Sequence, residues 1–124
     1  MNADPCGARP VGVGIDLAEP SDFHDVAEAF LERAFTEEER RRCRSRRDPA
    51  LAFAQTWAAK EAAVKAVGGA WHLPQVLIEN GRAIAVSRRG ETPADPGCDV
   101  AVSCARAGDS VMAVAIAWPR GSKP

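Results

Sequence analysis

An alanine-rich stretch near the middle of the chain decides the fold: Trp57-Ala58-Ala59-Lys60-Glu61-Ala62-Ala63-Val64-Lys65-Ala66-Val67-Gly68-Gly69. It is typical of the second half of a helix. Asp48 is a good N-cap, Pro49 suits the first helical position, and Gly68-Gly69 suits the end. Four apolar residues share one side of this helix, which should therefore face a core: Phe53, Trp57, Val64 and Val67.

Glu61 lies at the edge of that apolar side, and Lys65 follows one helical turn later. A carboxylate at such an edge is partly desolvated, which is costly unless a cation or hydrogen-bond donors meet it. The two residues suit an ordinary helix ion pair worth about 0.3–0.5 kcal/mol. They also suit a metal ligand with a phosphate-binding lysine beside it, and the rest of the sequence must decide between these interpretations.

Length and composition set the class of protein. The chain has 124 residues and a formal net charge of −1, which predicts one domain with a modest core and no strong attraction to nucleic acid. No apolar run is long enough to cross a membrane. We expect Met1–Pro10 to be a disordered leader and not a signal peptide, residues 11–118 to form the domain, and 119–124 to be a tail.

The cysteines lack the spacing of a metal site, and nothing resembles a secretion signal. We therefore expect free thiols in a reducing cytoplasm. The four cysteines are Cys6, Cys43, Cys98 and Cys104.

The segment from Val11 to Leu17 alternates strictly and predicts a strand with one buried side. The apolar residues are expected to form that buried face: Val11, Val13, Ile15 and Leu17. The opposite face carries Gly12, Gly14 and Asp16. Two glycines beside a carboxylate leave room for a ligand to approach the backbone, although they also suit a strand end at a tight crossing.

Two shorter helices are predicted between this strand and the long helix. The first runs from Ser21 or Asp22, either of which can cap it, to Ala34. The second begins with the capping box Thr36-Glu37-Glu38-Glu39. The arginine run from Arg40 to Arg47 suits either a solvated helix face or a surface for an acidic partner.

The C-terminal half reads as an antiparallel meander. Asn80-Gly81 is a strong hairpin signal, the segment 90–97 is a loop, and the nearly all-apolar last strand is expected to be central. The predicted strands are 76–79, 82–87, 99–104 and 111–118. A strand, then helices, then a meander indicates an α+β domain.

Two motifs together resemble a known family. Gly12-Val13-Gly14-Ile15-Asp16-Leu17 and Phe53-x-x-x-Trp57-Ala58-Ala59-Lys60-Glu61-Ala62-x-x-Lys65-Ala66 lie in the order seen in holo-acyl-carrier-protein synthases, the small 4′-phosphopantetheinyl transferases. Phe35-Thr36 with Glu38 or Glu39, and the closing meander from Val100 to Ile116, are also similar. The resemblance covers residues 11–118.

This resemblance implies a 4′-phosphopantetheinyl transferase-like α+β fold, with an antiparallel sheet packed against a long helix. It implies transfer of the phosphopantetheine arm of coenzyme A to a serine of an acyl or peptidyl carrier protein, with Mg²⁺ and release of 3′,5′-ADP. Such enzymes serve fatty acid or polyketide biosynthesis. The small members are homotrimers with active sites between subunits. Because the net charge is near zero and no apolar run is long enough to span a membrane, no nucleic acid or membrane partner is expected.

The resemblance also assigns roles to residues. Asp16 and Glu61 become the metal ligands, and together with Lys65 they become the catalytic set. The residues implied to bind coenzyme A are Lys60, Lys65, Gly68 and Ser103.

Some positions depart from the family pattern and keep other hypotheses open. Thr56 stands where an arginine is expected, and Cys104 where a histidine is usual. A repurposed or inactive relative that binds a carrier protein or coenzyme A derivative without transfer is therefore an alternative. Further alternatives are Cys104 as a nucleophile and a trimer without chemistry, joined through the strand 111–118.

The first predicted helix also departs from the pattern because it is acidic where many relatives are basic. Its acids would repel an acidic carrier protein, and they are Asp22, Asp25, Glu28 and Glu32. The arginines from Arg40 to Arg47 are candidates to dock the carrier instead, unless the carrier itself is unusual.

Overall fold

A five-stranded antiparallel sheet and one long helix frame the structure, a computed structural model that describes residues 12–121. The sheet order is β1-β5-β4-β3-β2. Its strands are β1 (Gly12–Ala18), β2 (Val76–Glu79), β3 (Arg82–Ala85), β4 (Cys98–Ala107) and β5 (Ser110–Pro119). The helices are α1 (Glu28–Ala34), α2 (Glu37–Arg44) and α3 (Pro49–Ala66). The predicted α+β class, with an antiparallel sheet against a long helix, is confirmed.

Some of the predicted features lie outside the described residues: the leader, Val11, Cys6 and the last three residues of the tail. Within the described part of the chain, Cys43, Cys98 and Cys104 are free thiols. No helix in this part is long and apolar enough to span a bilayer.

Helix α3 begins and ends where the sequence predicts. The Asp48 carboxylate accepts a hydrogen bond from the Leu51 amide at 3.2 Å. At the other end, Gly68 and Gly69 adopt φ values of 67° and 79°, and the Gly69 amide donates to the Val64 carbonyl at 2.9 Å. Residues on several sides of α3 are buried, because the sheet covers one side and the shorter helices cover others.

The predicted buried face of β1 is wrong. Val13, Ile15 and Leu17 are 54%, 54% and 64% exposed, whereas the glycine face packs on α3. A Cβ atom on Gly14 would overlap the Ala62 carbonyl. Strand and helix backbones therefore lie in direct contact, which only small residues permit.

The two faces of the sheet differ sharply because β5 follows the same alternation as β1. Its inner residues are buried against α3: Val111, Ala113, Ala115 and Ala117. On the outer face, Met112 is 41% exposed and neighbours Leu17 across the strand pair. We call the exposed set of Val13, Ile15, Leu17 and Met112 the outer patch.

The single helix predicted from Ser21 to Ala34 is also wrong. The chain forms a 3₁₀ turn at Pro20–Phe23, becomes extended at Ala27 with ψ near 139°, and only then enters α1. The break places the centroid of the Phe23 ring 6.3 Å from that of Phe35 and 6.4 Å from that of Phe53. The packing of Phe23 against Phe35 and Phe53 therefore goes with an interrupted helix.

The remaining elements follow the prediction closely. Thr36 and Glu39 form the capping box of α2, and Asn80-Gly81 turns the β2–β3 hairpin with positive φ at both residues. Strand β5 lies between β1 and β4, so it is interior. Two strands differ in length from the prediction: β3 ends at Ala85 and not at position 87, and β4 extends to Ala107, beyond the predicted end at position 104.

Candidate active site

Asp16 lies on the inner face of β1, opposite Ala113 of β5 and beside α3. Its side chain is 18% exposed. The carboxylate accepts a hydrogen bond from the Lys65 ammonium at 2.9 Å, and the same ammonium donates to the Ile15 carbonyl at 3.0 Å. Lys65 therefore joins the last turn of α3 to the edge strand.

Glu61 precedes Lys65 by one turn of α3 and lies on the same side of the helix, beside Asp16. Partial burial raises the pKa of Glu61, the negative charge of Asp16 raises it further, and the positive charge of Lys65 opposes the rise. Two carboxylates from distant parts of the sequence are thus close enough to repel each other. A lysine offsets part of that repulsion.

The glycines of β1 explain why these groups meet. Gly14 rests against the backbone of Ala62 and Gly12 against that of Ala66, so β1 comes as close to α3 as backbones allow. Asp16 is the next residue on the same face of the strand. Its carboxylate is consequently placed beside Glu61 and Lys65.

The carboxylate pair fits a hard divalent cation. Mg²⁺ prefers oxygen ligands and is usually held by one or two carboxylates, with phosphate oxygens and water completing its shell. Burial is the main cause of the raised pKa of Glu61, and a cation between Asp16 and Glu61 would offset the repulsion that adds to it. No group of three or more metal-ligating side chains occurs in residues 12–121, so the other ligands would come from a bound phosphate and water.

Gly68 lies in the turn that ends α3, just after Lys65. It is exposed, its φ is 67°, and there is open space where a side chain would be. A bound ligand can therefore approach the backbone at this end of the helix.

The structure does not place Lys60 at this site. Its ammonium is fully buried and donates to Glu39 at 2.6 Å and to the Val76 carbonyl at 2.5 Å. Burial lowers the pKa of Lys60, while the Glu39 charge opposes that change. Lys60 points toward β2 and ties α3 to it, so its implied contact with coenzyme A has no support within one chain.

Ser103 lies on the other side of the sheet from Asp16. It pairs with Val114 on the outer face of β4, whereas its neighbour Cys104 pairs with Ala113 on the inner face. Within one chain, Ser103 cannot reach the pair formed by Asp16 and Glu61.

Of the departures from the family pattern, Thr56 and Cys104 lie in surroundings that do not favour a reactive role. The buried Thr56 hydroxyl donates to the Ala52 carbonyl at 2.9 Å, a local helix contact. Burial raises the pKa of the Cys104 thiol, which lowers its thiolate fraction and weakens the case for a nucleophile.

The sequence reasoning missed the buried ion pair of Glu39 and Lys60. The sequence places Glu39 in a capping box and, with Glu38, in the motif that begins at Phe35. In the structure, its second oxygen also accepts from the Ile78 amide at 2.8 Å. A charged residue on the alanine-rich side of α3 was the available signal, because a charge there requires a buried partner.

Comparison with known proteins defines the class. A family model described as the 4′-phosphopantetheinyl transferase superfamily matches residues 12–114. The chain belongs to this superfamily.

Particular relatives are holo-[acyl-carrier-protein] synthases. That of Syntrophotalea carbinolica is 49% identical over 61 residues, covering 46% of this chain and 48% of the relative. The chain thus spans about half the length of the bacterial relatives it matches.

Solved structures agree in fold. The holo-ACP-synthase of Plasmodium yoelii superposes with a TM-score of 0.73 at 17% identity, covering 93% of this chain and 99% of that one. The holo-(acyl-carrier-protein) synthase of Bacillus anthracis, in complex with CoA (3′,5′-ADP), gives 0.68 at 24% identity, covering 89% and 97%. At these identities the likeness establishes the fold.

Proposed function

We propose that this chain transfers the 4′-phosphopantetheine arm of coenzyme A to a serine of an acyl or peptidyl carrier protein, with Mg²⁺, releasing 3′,5′-ADP. The observation that carries the proposal is the convergence of Asp16, Glu61 and Lys65. The coenzyme A complex of the Bacillus anthracis relative supports the choice of donor. Fatty acid and polyketide synthesis are the pathways that such a modification would serve.

In the reaction, the carrier serine oxygen forms a bond to the β-phosphorus of coenzyme A, and the bond from that phosphorus to 3′,5′-ADP breaks. The serine proton passes to a site carboxylate or to water. Asp16 and Glu61 would hold Mg²⁺, which when bound neutralises charge on the diphosphate. Their placement on a strand and a helix keeps the diphosphate in a fixed position.

Lys65 supplies a mobile positive charge. Its side chain is 51% exposed and forms an ion pair with Asp16, so it can turn from the carboxylate to a bound phosphate without unpacking the core. Gly68, one turn further, leaves its backbone open to the same ligand. These two residues would orient the bound diphosphate and stabilise the negative charge that develops on the leaving 3′,5′-ADP.

We also propose that the working assembly is a homotrimer with a site at each contact between subunits. The outer patch leaves three large side chains of β1 more than half exposed, and burying it would be favourable. Ser103 lies on that same outer face. It would therefore serve the site of a neighbouring copy and not that of its own chain.

The test is to incubate the protein with apo-carrier proteins, coenzyme A and Mg²⁺ and to measure the carrier mass. The carrier should gain the mass of one phosphopantetheine arm, and a chelator should prevent the gain. If no carrier in a panel gains mass, including acyl and peptidyl types, the proposal fails.

A second function is favoured by the arginine-to-threonine departure. Threonine carries no charge, so this position offers no positive charge to a ligand. The Thr56 side chain is also buried, with its hydroxyl donating within its own helix. The chain would then be a repurposed relative that binds a carrier protein or coenzyme A derivative without transfer. Calorimetry that detects coenzyme A binding, together with an unchanged carrier mass, would establish this alternative.

A further inference from the structure

A groove between α2 and the segment after β3 gathers arginines from two separate parts of the chain. Arg40 and Arg41 come from α2, and Arg88 and Arg89 follow β3. The groove has a volume of about 570 Å³. Its apolar lining consists of Pro74, Leu77 and Val86.

Two of these arginines are anchored to the end of α1. Arg88 donates to the main-chain carbonyls of Glu32, Arg33 and Phe35. Arg40 donates to the Phe35 carbonyl at 2.7 Å. Their positive charges are therefore fixed in place before any ligand binds.

The anchoring holds like charges together. Partial burial lowers the pKa of Arg88, and the positive charges of Arg89 and Arg40 lower it further. Glu37 and Glu38 also line the groove, which leaves four arginines against two glutamates. Arg41 and Arg89 are exposed and form no salt bridge with another described residue, so an incoming anion would find both free.

The neighbouring helical segment has the opposite charge. Four acids are exposed along the 3₁₀ turn, the link that follows it and α1: Asp22, Asp25, Glu28 and Glu32. An acidic protein surface would be repelled there and attracted by the groove. The apolar lining adds contact area that a free phosphate would not use.

We propose that this arginine groove docks the acidic face of the carrier protein. The inference rests on the proposed function, since that function makes a carrier protein the partner. The groove lies beside β2 and β3, at the opposite end of the sheet from β1. The carrier body would thus bind away from the Asp16 and Glu61 pair of the same chain, on a surface distinct from the diphosphate site.

The test measures binding directly, with an acidic carrier protein whose acceptor serine is replaced by alanine. Such a carrier cannot be modified, so its dissociation constant is defined whether or not transfer occurs. The double variant Arg41→Glu/Arg89→Glu should weaken binding by about tenfold or more, because two attractive charges become repulsive. Arg82→Glu, an exposed arginine outside the groove, is the matched control and should change binding less than about twofold.

The outcomes separate this inference from the proposed function. Equal effects of the double variant and the control, or failure of the wild-type protein to bind any acidic carrier, would overturn the docking assignment. Transfer to a carrier with a basic face would then still uphold the proposed function. A rise in the dissociation constant for coenzyme A alone in the double variant would assign the groove to the nucleotide and likewise overturn carrier docking.

Discussion

Gly14 and Asp16 are neighbours on one face of β1, and the first makes the placement of the second possible. Without a side chain at Gly14, the strand rests directly on the backbone of Ala62. Asp16 is then held beside α3 with only 18% of its side chain exposed. The packing of β1 on α3 and the position of the site carboxylate therefore depend on two residues of one face, Gly14 and Asp16.

Replacing Gly14 by alanine should destabilise the protein by about 1–3 kcal/mol or more, because the new methyl group would force β1 away from α3. Urea unfolding of the wild-type and variant proteins measures the change. The transfer rate should fall as well, since Asp16 moves with the strand. A loss of stability below about 0.5 kcal/mol, typical of a neutral surface change, would show that the contact is not close.

Asp16→Asn and Glu61→Gln should each lower kcat/KM for carrier modification by about a hundredfold or more, because each removes a charged ligand from the site. Neither should lower stability by more than about 1 kcal/mol, since the loss of the partly exposed Asp16–Lys65 ion pair in Asp16→Asn is small and each variant relieves the repulsion between Asp16 and Glu61. Asp109→Asn, in an exposed turn, is the matched control and should retain activity. Full activity in either site variant would contradict the assignment.

The residues of β1 also show how much of the fold the sequence can predict. Alternation along β1 divided its residues correctly into two faces but did not tell which face is inside. Apolar side chains suggested one answer, whereas the buried face is formed by the glycines. The alanines at positions 62 and 66 of α3 were the complementary signal, because small residues on both partners allow backbones to touch.

Among the elements, α3 carries two different polar residues in adjacent positions. Glu61 lies beside Asp16, whereas Lys60 faces the interior, where its ammonium donates to Glu39 of α2 and to the Val76 carbonyl. Glu39 also accepts from the amides of Thr36 and Ile78. One buried carboxylate therefore joins α2, α3 and β2.

Lys60→Met should destabilise the fold by about 3–5 kcal/mol, because Glu39 would be left as a buried charge without a partner. The double variant Lys60→Met/Glu39→Gln should recover part of that loss, since the remaining group is neutral. Urea unfolding of both variants tests the coupling. Lys65→Met, which changes a half-exposed lysine, is the control and should cost less than about 1 kcal/mol. A single and a double variant of equal stability would argue against the ion pair.

Local signals predicted the ends of elements well and long-range contacts poorly. The caps at Thr36 and Asp48 and the turn at Asn80-Gly81 depend on neighbouring residues, and all three are confirmed. The break between Pro20–Phe23 and α1 depends on where Phe23 finds Phe35 and Phe53. That contact is set by tertiary packing, which a helical pattern does not encode.

For the whole molecule, the outer patch is the feature that a single chain leaves unexplained. Three large apolar residues of β1 and Met112 of β5 face outward together, and Ser103 lies on the same face. A closed trimer would bury this face and bring Ser103 to another chain's site.

Leu17→Glu should dissociate the proposed trimer, because a charge would be buried in an apolar contact. Light scattering during size-exclusion chromatography should report three chains for the wild-type protein and one for the variant. Ala29→Glu, on an exposed position of α1, adds the same charge elsewhere and should leave the trimer intact. A wild-type protein that remains monomeric at micromolar concentration would refute the proposed assembly.

The proposed transfer depends most on one divalent ion shared by Asp16 and Glu61, and the most direct measurement is a crystal structure with coenzyme A and Mn²⁺ in place of Mg²⁺. We predict an anomalous-scattering peak between the two carboxylates and in contact with the diphosphate, with Lys65 turned from Asp16 toward a phosphate oxygen. A bound coenzyme A whose metal peak lies away from either carboxylate would contradict it.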